Sequence, residues 1–386
     1  MSIRYSVNEL LKQFEQDFIT HNLIKVSQKA ILHNFDTYAK ETGKIIIPVL
    51  KSNAYGHGLE LVATALQQRS MPYIAVDSYY EALRIRNVSK QPVLIMGAID
   101  NQNFSRLKYD NFAFVVQDFE TIHALDRVGK HIKVHLECNT GMNRYGAQPN
   151  DTLRLARLIK NSKNLELEGL MTHLAMGAET DQSEINKPSD LFEELMRSLQ
   201  SEDINPPLRH IAQSSGSLRL TTQKANVIRL GIALYGLNPF DPSHKLYDHS
   251  ASTLTPALSV QSTITHINSL NPGDKVSYGY TYTAQKSEKI GVIPYGYYDG
   301  LDREALSNRG LVKIGNAYAP IVGRICMNHT MINLGGINAK IGDKVVIISN
   351  QQSDRNTIDR IARDYGLFNY SMATSLIADT RRILVD

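Results

Sequence analysis

With 386 residues the chain is long enough for two compact domains, and 42% hydrophobic and 21% charged residues are ordinary proportions for a globular protein. A formal charge of +4 is too small for this length to suggest a dedicated nucleic-acid binder, and two distant cysteines, Cys138 and Cys326, exclude a disulfide framework or cysteine-rich metal site. No segment approaches the roughly 18–20 apolar residues of a membrane span, and residues 1–19 lack the apolar stretch of a secretory signal, so a cytoplasmic protein without membrane partners is expected.

In chain order, the first element is an amphipathic helix. Ser6 and Glu9 form a capping box, and Val7, Leu10, Leu11, Phe14 and Phe18 share one face. From residue 44 short apolar runs rich in branched residues alternate with helical patterns. The runs are Ile45–Leu50, Tyr73–Val76, Val93–Met96, Phe112–Val116, Ile132–Glu137, Leu167–His173, Leu208–Ala212 and Val227–Leu230. Helical patterns between them cover Leu59–Gln68, Phe119–Val128, Thr152–Lys160 and Asp190–Leu199. Near-continuous apolar strands alternating with helices predict a parallel sheet buried on both faces. Eight such runs within about 190 residues favour a closed (β/α)8 barrel of the TIM type over an open sheet.

After residue 250 the rhythm changes. Val260–Ile267 and Lys289–Tyr297 alternate as half-exposed strands do, and Gly315-Asn316 between Leu311–Ile314 and Tyr318–Val322 marks a hairpin. A single helix is predicted over Ile358–Tyr365, capped by Asn356 or Thr357. The α/β chain therefore divides into an N-terminal barrel domain with its leading helix, residues 1–249, and a mainly β domain, residues 250–386.

In such barrels functional groups gather at the C-terminal ends of the strands. The first strand ends in Ile-Pro-Val-Leu-Lys51-Ser-Asn-Ala-Tyr55-Gly-His-Gly58, which places a lysine at an apolar strand end before a glycine-punctuated turn. A partly desolvated amine has a lowered pKa and can bond to a carbonyl carbon. Strand position alone leaves a solvated loop lysine open.

The segment Lys51-Ser-Asn-Ala-Tyr55-Gly-His-Gly58 resembles the pyridoxal 5'-phosphate (PLP) attachment segment of the alanine racemase family, and the resemblance extends from Ile24 to Arg382. It implies that Lys51 carries the cofactor, and that the protein interconverts L- and D-alanine and supplies D-alanine for peptidoglycan. Tyr55, Ser214 in His-Ile-Ala-Gln-Ser-Ser-Gly, and Tyr370 in Phe-Asn-Tyr-Ser match residues at the family's phosphate site, where Gly231 and Ile232 can add backbone N–H groups. Arg229, in Val-Ile-Arg-Leu-Gly-Ile, matches the arginine facing the ring nitrogen. An arginine donates a hydrogen bond there but no proton.

Racemisation needs a base on each face of the reacting carbon. Lys51 supplies one, and Tyr278 in Val-Ser-Tyr-Gly matches the family's catalytic tyrosine, which reaches across from a second copy, so the resemblance implies a homodimer with shared sites. His173 and His210 match residues linking that tyrosine to Arg229. Met327 and Arg144 match groups around the substrate carboxylate, and Tyr297 matches a tyrosine at the narrow entrance.

The chain departs from the family's pattern at Glu137. Many relatives have a carbamylated lysine seven residues before the arginine equivalent to Arg144, and Glu137 presents a carboxylate directly, which predicts a Glu137–Arg144 ion pair. Gln213 replaces an asparagine, and Asn139 and Asn328 stand where many relatives have aspartate. Rival readings are a racemase of serine or a broader amino-acid set, a related decarboxylase, and a noncatalytic PLP carrier. Arg229 disfavours the decarboxylase, which needs an acidic partner at the ring nitrogen, and the β domain disfavours the carrier.

Overall fold

The computed structural model describes residues 19–109, 111–220, 222 and 224–386. The amphipathic helix expected over residues 7–18 lies outside them. The described chain forms two compact units: one of residues 26–258, 350–378 and 384–386, the other comprising residues up to 25, 259–349 and 379–383.

Before the barrel comes β1 (Leu23–Ser27), whose last residue Ser27 caps the helix Gln28–Thr42 by accepting the Ala30 N–H. The barrel strands are β2 (Ile45–Pro48), β3 (Ile74–Val76), β4 (Val93–Ile95), β5 (Phe112–Val116), β6 (Ile132–Glu137), β7 (Leu165–Met171), β8 (Leu208–Gln213) and β9 (Val227–Leu230). They form an eight-stranded sheet in the order β2-β9-β8-β7-β6-β5-β4-β3. A parallel bridge between Val49 and Ala75, just past β2, brings its two edges together. The expected (β/α)8 architecture is present. Its interior is filled by Ile47, Val49, Tyr73, Ala75, Leu94, Ala113, Leu208 and Val227, contributed by alternate strand positions.

The helical patterns fall where expected: Leu59–Gln68 is α-helical to Ala65 and ends in a 3-10 turn, the helix over Phe119–Val128 stops at Asp126, and the other two are longer. The helix predicted over Asp190–Leu199 runs over Ser183–Gln200 and continues through Pro188, which lies inside it and has no N–H to give the Glu184 carbonyl. The helix predicted over Thr152–Lys160 begins at Pro149, in its first turn.

The second unit is mainly β. Its larger sheet has six strands in the order β16-β15-β18-β10-β1-β19, formed by β10 (Leu258–Thr263), β15 (Leu311–Ile314), β16 (Ala317–Pro320), β18 (Lys344–Ile348) and β19 (Arg382–Val385) with β1. Smaller sheets join β11 (His266–Leu270), β14 (Glu288–Ile293) and β17 (Thr330–Asn333), and β12 (Lys275–Val276) with β13 (Tyr282–Thr283). The Gly315-Asn316 hairpin is formed, with Gly315 at φ +56°. The run Val260–Ile267 is two strands rather than one: Ile264 leaves the ladder and its N–H bonds the Asp343 carbonyl.

The division expected at 249/250 differs from this partition in two respects. The barrel unit continues to Leu258, and residues 350–378 return to it. That returning segment carries the helix Ile358–Tyr365, capped by Thr357, and the helix Asn369–Thr374. Its Asp359 carboxylate accepts the N–H of Asn238 and the side-chain amide of Asn369, tying the segment to the chain beyond β9.

Candidate active site

Lys51 follows β2 directly, and the backbone after it takes an unusual path. Ser52, Asn53, Ala54 and Tyr55 all have φ between +51° and +56°, one turn of left-handed helix in place of the ordinary turn. Each L-residue so held costs roughly 1–2 kcal/mol, and such strain persists where surroundings enforce it. Here the Ser52 N–H bonds Glu81 Oε1 at 2.7 Å, and Asn53 Oδ1 accepts the Leu59 N–H at 3.0 Å. Glu81 also accepts the N–H groups of Asp77 and Ser78 through Oε2, so one carboxylate joins the lysine turn to the loop after β3. That loop supplies Asp77, whose carboxylate lies 3.8 Å from the Lys51 Nζ.

Lys51, Tyr55, Glu137, Arg144, His173, Ser214, Arg229, Gly231, Ile232 and Tyr370 line one cavity of about 680 Å³. At one wall the Ser214 hydroxyl accepts the N–H groups of Gly231 and Ala233, at 3.1 and 3.4 Å, leaving its own proton to donate. A Cβ on Gly231 would sit 2.9 Å from the Tyr55 hydroxyl, so only glycine keeps this cradle open. The Tyr55 ring packs 5.1 Å from Tyr235 and 6.2 Å from Tyr370, and burial pushes its phenol up to about 12. Tyr55 is thus a neutral donor at physiological pH.

Arg229 is buried on β9, in register with Gln213. Its Nη1 donates to His210 Nδ1 at 3.0 Å and to the His210 carbonyl at 2.9 Å. Its Nη2 donates to the carbonyls of Thr172 and Ile211 and to His173 Nδ1 at 3.1 Å. The Nε–H is the donor not taken up among the described residues. Burial pulls the guanidinium down to about 10, which leaves it charged at neutral pH. Burial, followed by the positive charges of Arg229, Arg144 and Lys51, depresses His173 to about 3, so that imidazole is neutral.

The expected Glu137–Arg144 ion pair is not formed. Glu137 is buried and Arg144 exposed, and neither side chain makes a hydrogen bond or ion pair among the described residues. Burial pushes the Glu137 carboxyl up, against the lowering pull of Arg229 and then Arg144. A carboxyl whose folded pKa exceeds its unfolded value destabilises the fold once pH rises past the unfolded value near ~4.3. Glu137→Gln is therefore expected to raise the thermal midpoint by roughly 2–4 °C at neutral pH and to leave it unchanged at about pH 3. An equal gain at both pH values would contradict this account.

Tyr278, Met327 and Tyr297 belong to the β unit. Tyr278 follows β12 in a tight turn in which Ser277, Gly279 and Tyr280 have φ of +65°, +71° and +51°. The turn is fastened by the Ser277 hydroxyl donating to the Arg324 carbonyl at 2.5 Å. Tyr297 and Met327 are neighbours because the Tyr297 and Tyr298 N–H groups bond the Cys326 and Met327 carbonyls, each at 3.0 Å. Tyr278 is 65% exposed, Tyr280 66% and Met327 54%, an unusual concentration of exposed large apolar groups.

Sequence reasoning missed Asp77, Glu81, His135 and Glu168. His135 had a findable signal, because period two puts it on the same face of β6 as Glu137.

The family model for the alanine racemase N-terminal domain matches residues 26–239, and that for the alanine racemase C-terminal domain matches residues 257–384. An alanine racemase 2 from Caldanaerobacter subterraneus subsp. tengcongensis is 33% identical over 356 residues, 90% of this chain and 90% of that protein. An alanine racemase from Lactobacillus acidophilus is 31% identical over 361 residues, 92% of this chain and 94% of that one. Among solved structures, the alanine racemase from Bacillus anthracis with bound L-Ala-P superposes with a TM-score of 0.85 at 28% identity, covering 96% of each chain.

Proposed function

The chain belongs to the alanine racemase family, and from that premise we propose how its own residues carry the reaction. It is an isomerase that interconverts L-alanine and D-alanine with pyridoxal 5'-phosphate as cofactor. The observation that carries the residue assignment is the meeting of Lys51, the Ser214–Gly231 cradle and Arg229 in one cavity.

The cavity fits that cofactor. Lys51 would hold it covalently, Tyr55, Ser214, Gly231, Ile232 and Tyr370 would take its phosphate, and the Arg229 Nε–H is the donor left for the ring nitrogen. When bound, PLP supplies a conjugated system that draws electron density from the substrate Cα and so acidifies its proton. The chain's work is then to place bases. Lys51 removes or returns the Cα proton on one face, and Tyr278 does so on the other. A single base retrieving its own proton would return the starting enantiomer, so the reaction needs both. Arg229, charged and fully oriented, donates a hydrogen bond without transferring a proton. Neutral His173 and His210 fix its guanidinium. Arg144 and the Met327 backbone hold the substrate carboxylate, Tyr297 narrows the approach, and Glu137 acts on Arg144 through its charge rather than by contact.

We further infer a homodimer in which the mainly β stretch of one copy, residues 259–349, completes the site of the other. The exposure of Tyr278, Tyr280 and Met327 supports it. No helix among the described residues is long and apolar enough to cross a membrane. A cytoplasmic location, a small-molecule partner rather than nucleic acid or membrane, and supply of D-alanine to peptidoglycan complete the proposal.

The test is turnover of L- and D-alanine with added PLP in deuterium oxide, alongside L-serine and L-lysine. Loss of optical rotation with deuterium entering Cα of both alanine enantiomers is expected. Turnover confined to serine or lysine would overturn the substrate, and bound PLP without turnover would favour the carrier reading.

A further inference from the structure

Arg229 is the first member of a longer buried chain of polar groups. His210, which accepts from its Nη1 through Nδ1, has its Nε2 2.9 Å from His135 Nδ1. His135 Nε2 lies 3.3 Å from Glu168 Oε2. Glu168 in turn accepts the Tyr73 hydroxyl on Oε2 and the Lys133 Nζ on Oε1 at 2.5 Å. Both imidazoles are fully buried, the Glu168 side chain is 12% exposed, and Lys133 reaches solvent.

The chain has a fixed direction. A guanidinium only donates, so His210 Nδ1 must be a lone pair and its proton must sit on Nε2. That proton points at His135 Nδ1, which must accept, leaving the His135 proton on Nε2 and aimed at the carboxylate. Donor and acceptor roles therefore run one way from Arg229 to Glu168, with both rings neutral and no proton moving. The terminal carboxylate holds its charge. Burial raises its pKa, but hydrogen bonds from His135, Lys133 and Tyr73 bring the carboxyl down to about 2.

The backbone is shaped for this arrangement. Along the β6–β7 ladder Val134 pairs with Leu167 and His135 with Gly169, which leaves Glu168 as the extra residue of a bulge. Bulges re-aim side chains, and this one turns Glu168 and Gly169 to the same side. A Cβ on Gly169 would lie 2.4 Å from His135 Nδ1, so glycine is what lets the ring lie where it bridges His210 and Glu168. Tyr73 packs edge-on to His135 at 5.4 Å and closes the cavity around it.

We propose that His135 and Glu168 are positioning residues for the reaction: they select the His210 tautomer that accepts from Arg229 and so hold the guanidinium in its working orientation. The inference rests on the reading that Arg229 faces the cofactor ring. If His210 carried its proton on Nδ1, an N–H would face the Arg229 Nη1–H and that anchor would be lost.

The test reads the tautomers directly in the cofactor-free protein by long-range ¹H–¹⁵N NMR, and kcat and KM in the holoenzyme. Both His210 and His135 are expected as the neutral Nε2–H form in the parent. Glu168→Leu and His135→Leu remove an acceptor and should release the His210 tautomer. They should also lower kcat by roughly 10- to 100-fold, the range for outer-shell partners of a functional group, with KM for alanine within about 3-fold. Glu168→Gln and His135→Gln keep an acceptor in place and should retain the parent tautomer and most of kcat. His210 in the Nδ1–H form in the parent overturns the proposal without any variant. So do leucine variants that keep either the parent tautomer or the parent kcat, and glutamine variants as impaired as the leucine ones. The spectra are read without substrate, so an error in the assigned reaction would leave the tautomer result standing and remain distinguishable from failure of the positioning role.

Discussion

Lys51→Ala is expected to lower alanine racemisation by roughly 10⁴-fold or more, because one substitution removes both the covalent tether and one of the two bases. The bound cofactor should become removable by dialysis, while the fold stays intact. Lys51 is 35% exposed at its side chain and its ion pair with Asp77 spans 3.8 Å, a contact worth well under about 1 kcal/mol once solvent screening is counted. The neighbouring left-handed turn is held by Glu81 and Asn53, not by the lysine amine. Loss of turnover should therefore come with an unchanged thermal midpoint in the cofactor-free proteins. Activity within tenfold of the parent would remove Lys51 from the mechanism, and a large drop in the midpoint would make the lysine structural.

Much of the barrel was legible because a parallel strand covered on both faces must be apolar along its length, and Val, Ile and Leu cluster accordingly. Phe112–Val116, Ile132–Glu137 and Val227–Leu230 lie at the boundaries read from those clusters. The first and last strands were not legible. Leu23–Ser27 and Arg382–Val385 are short and part polar, and they are strands only because the six-stranded sheet supplies partners. The division of the chain was blurred because residues 350–378 return to the barrel unit through contacts such as Asp359 with Asn238, which no local pattern encodes.

The site divides in the same way. Lys51, Ser214 and Arg229 could be read because each ends or follows a recognisable strand and carries a motif. The left-handed path of residues 52–55 could not, since Ala54 and Tyr55 have no intrinsic preference for positive φ and are held there by neighbours distant in sequence. Glu168 was hidden for a related reason: in a regular strand it and Gly169 would face opposite sides, and only the bulge puts them together. The predicted Glu137–Arg144 contact failed because a short carboxylate on a barrel strand stays buried while the arginine lies on an exposed loop. A longer side chain at position 137 would reach further toward that loop.

The second large effect concerns Tyr278. Tyr278→Phe removes the phenolic hydroxyl and with it one proton-transferring group, so turnover should fall by about 10²–10⁴-fold while cofactor binding through Lys51 is retained. The residue is 65% exposed in a single copy, so its loss should not disturb packing. If each site takes Lys51 from one copy and Tyr278 from the other, the two defects are complementary across the two-fold axis. Mixing Lys51→Ala and Tyr278→Phe proteins after dissociation and reassociation would then give hybrids in which one site carries both defects and the other carries neither. Random reassortment makes half of the dimers hybrids with one working site, so about a quarter of the parent's activity should return from two nearly inactive preparations. Sites built within one copy would each keep their defect, and the mixture would stay as inactive as its parts. That outcome would leave the bases in place but remove the second copy from the chemistry, and the exposed Tyr278–Tyr280–Met327 surface would need another explanation.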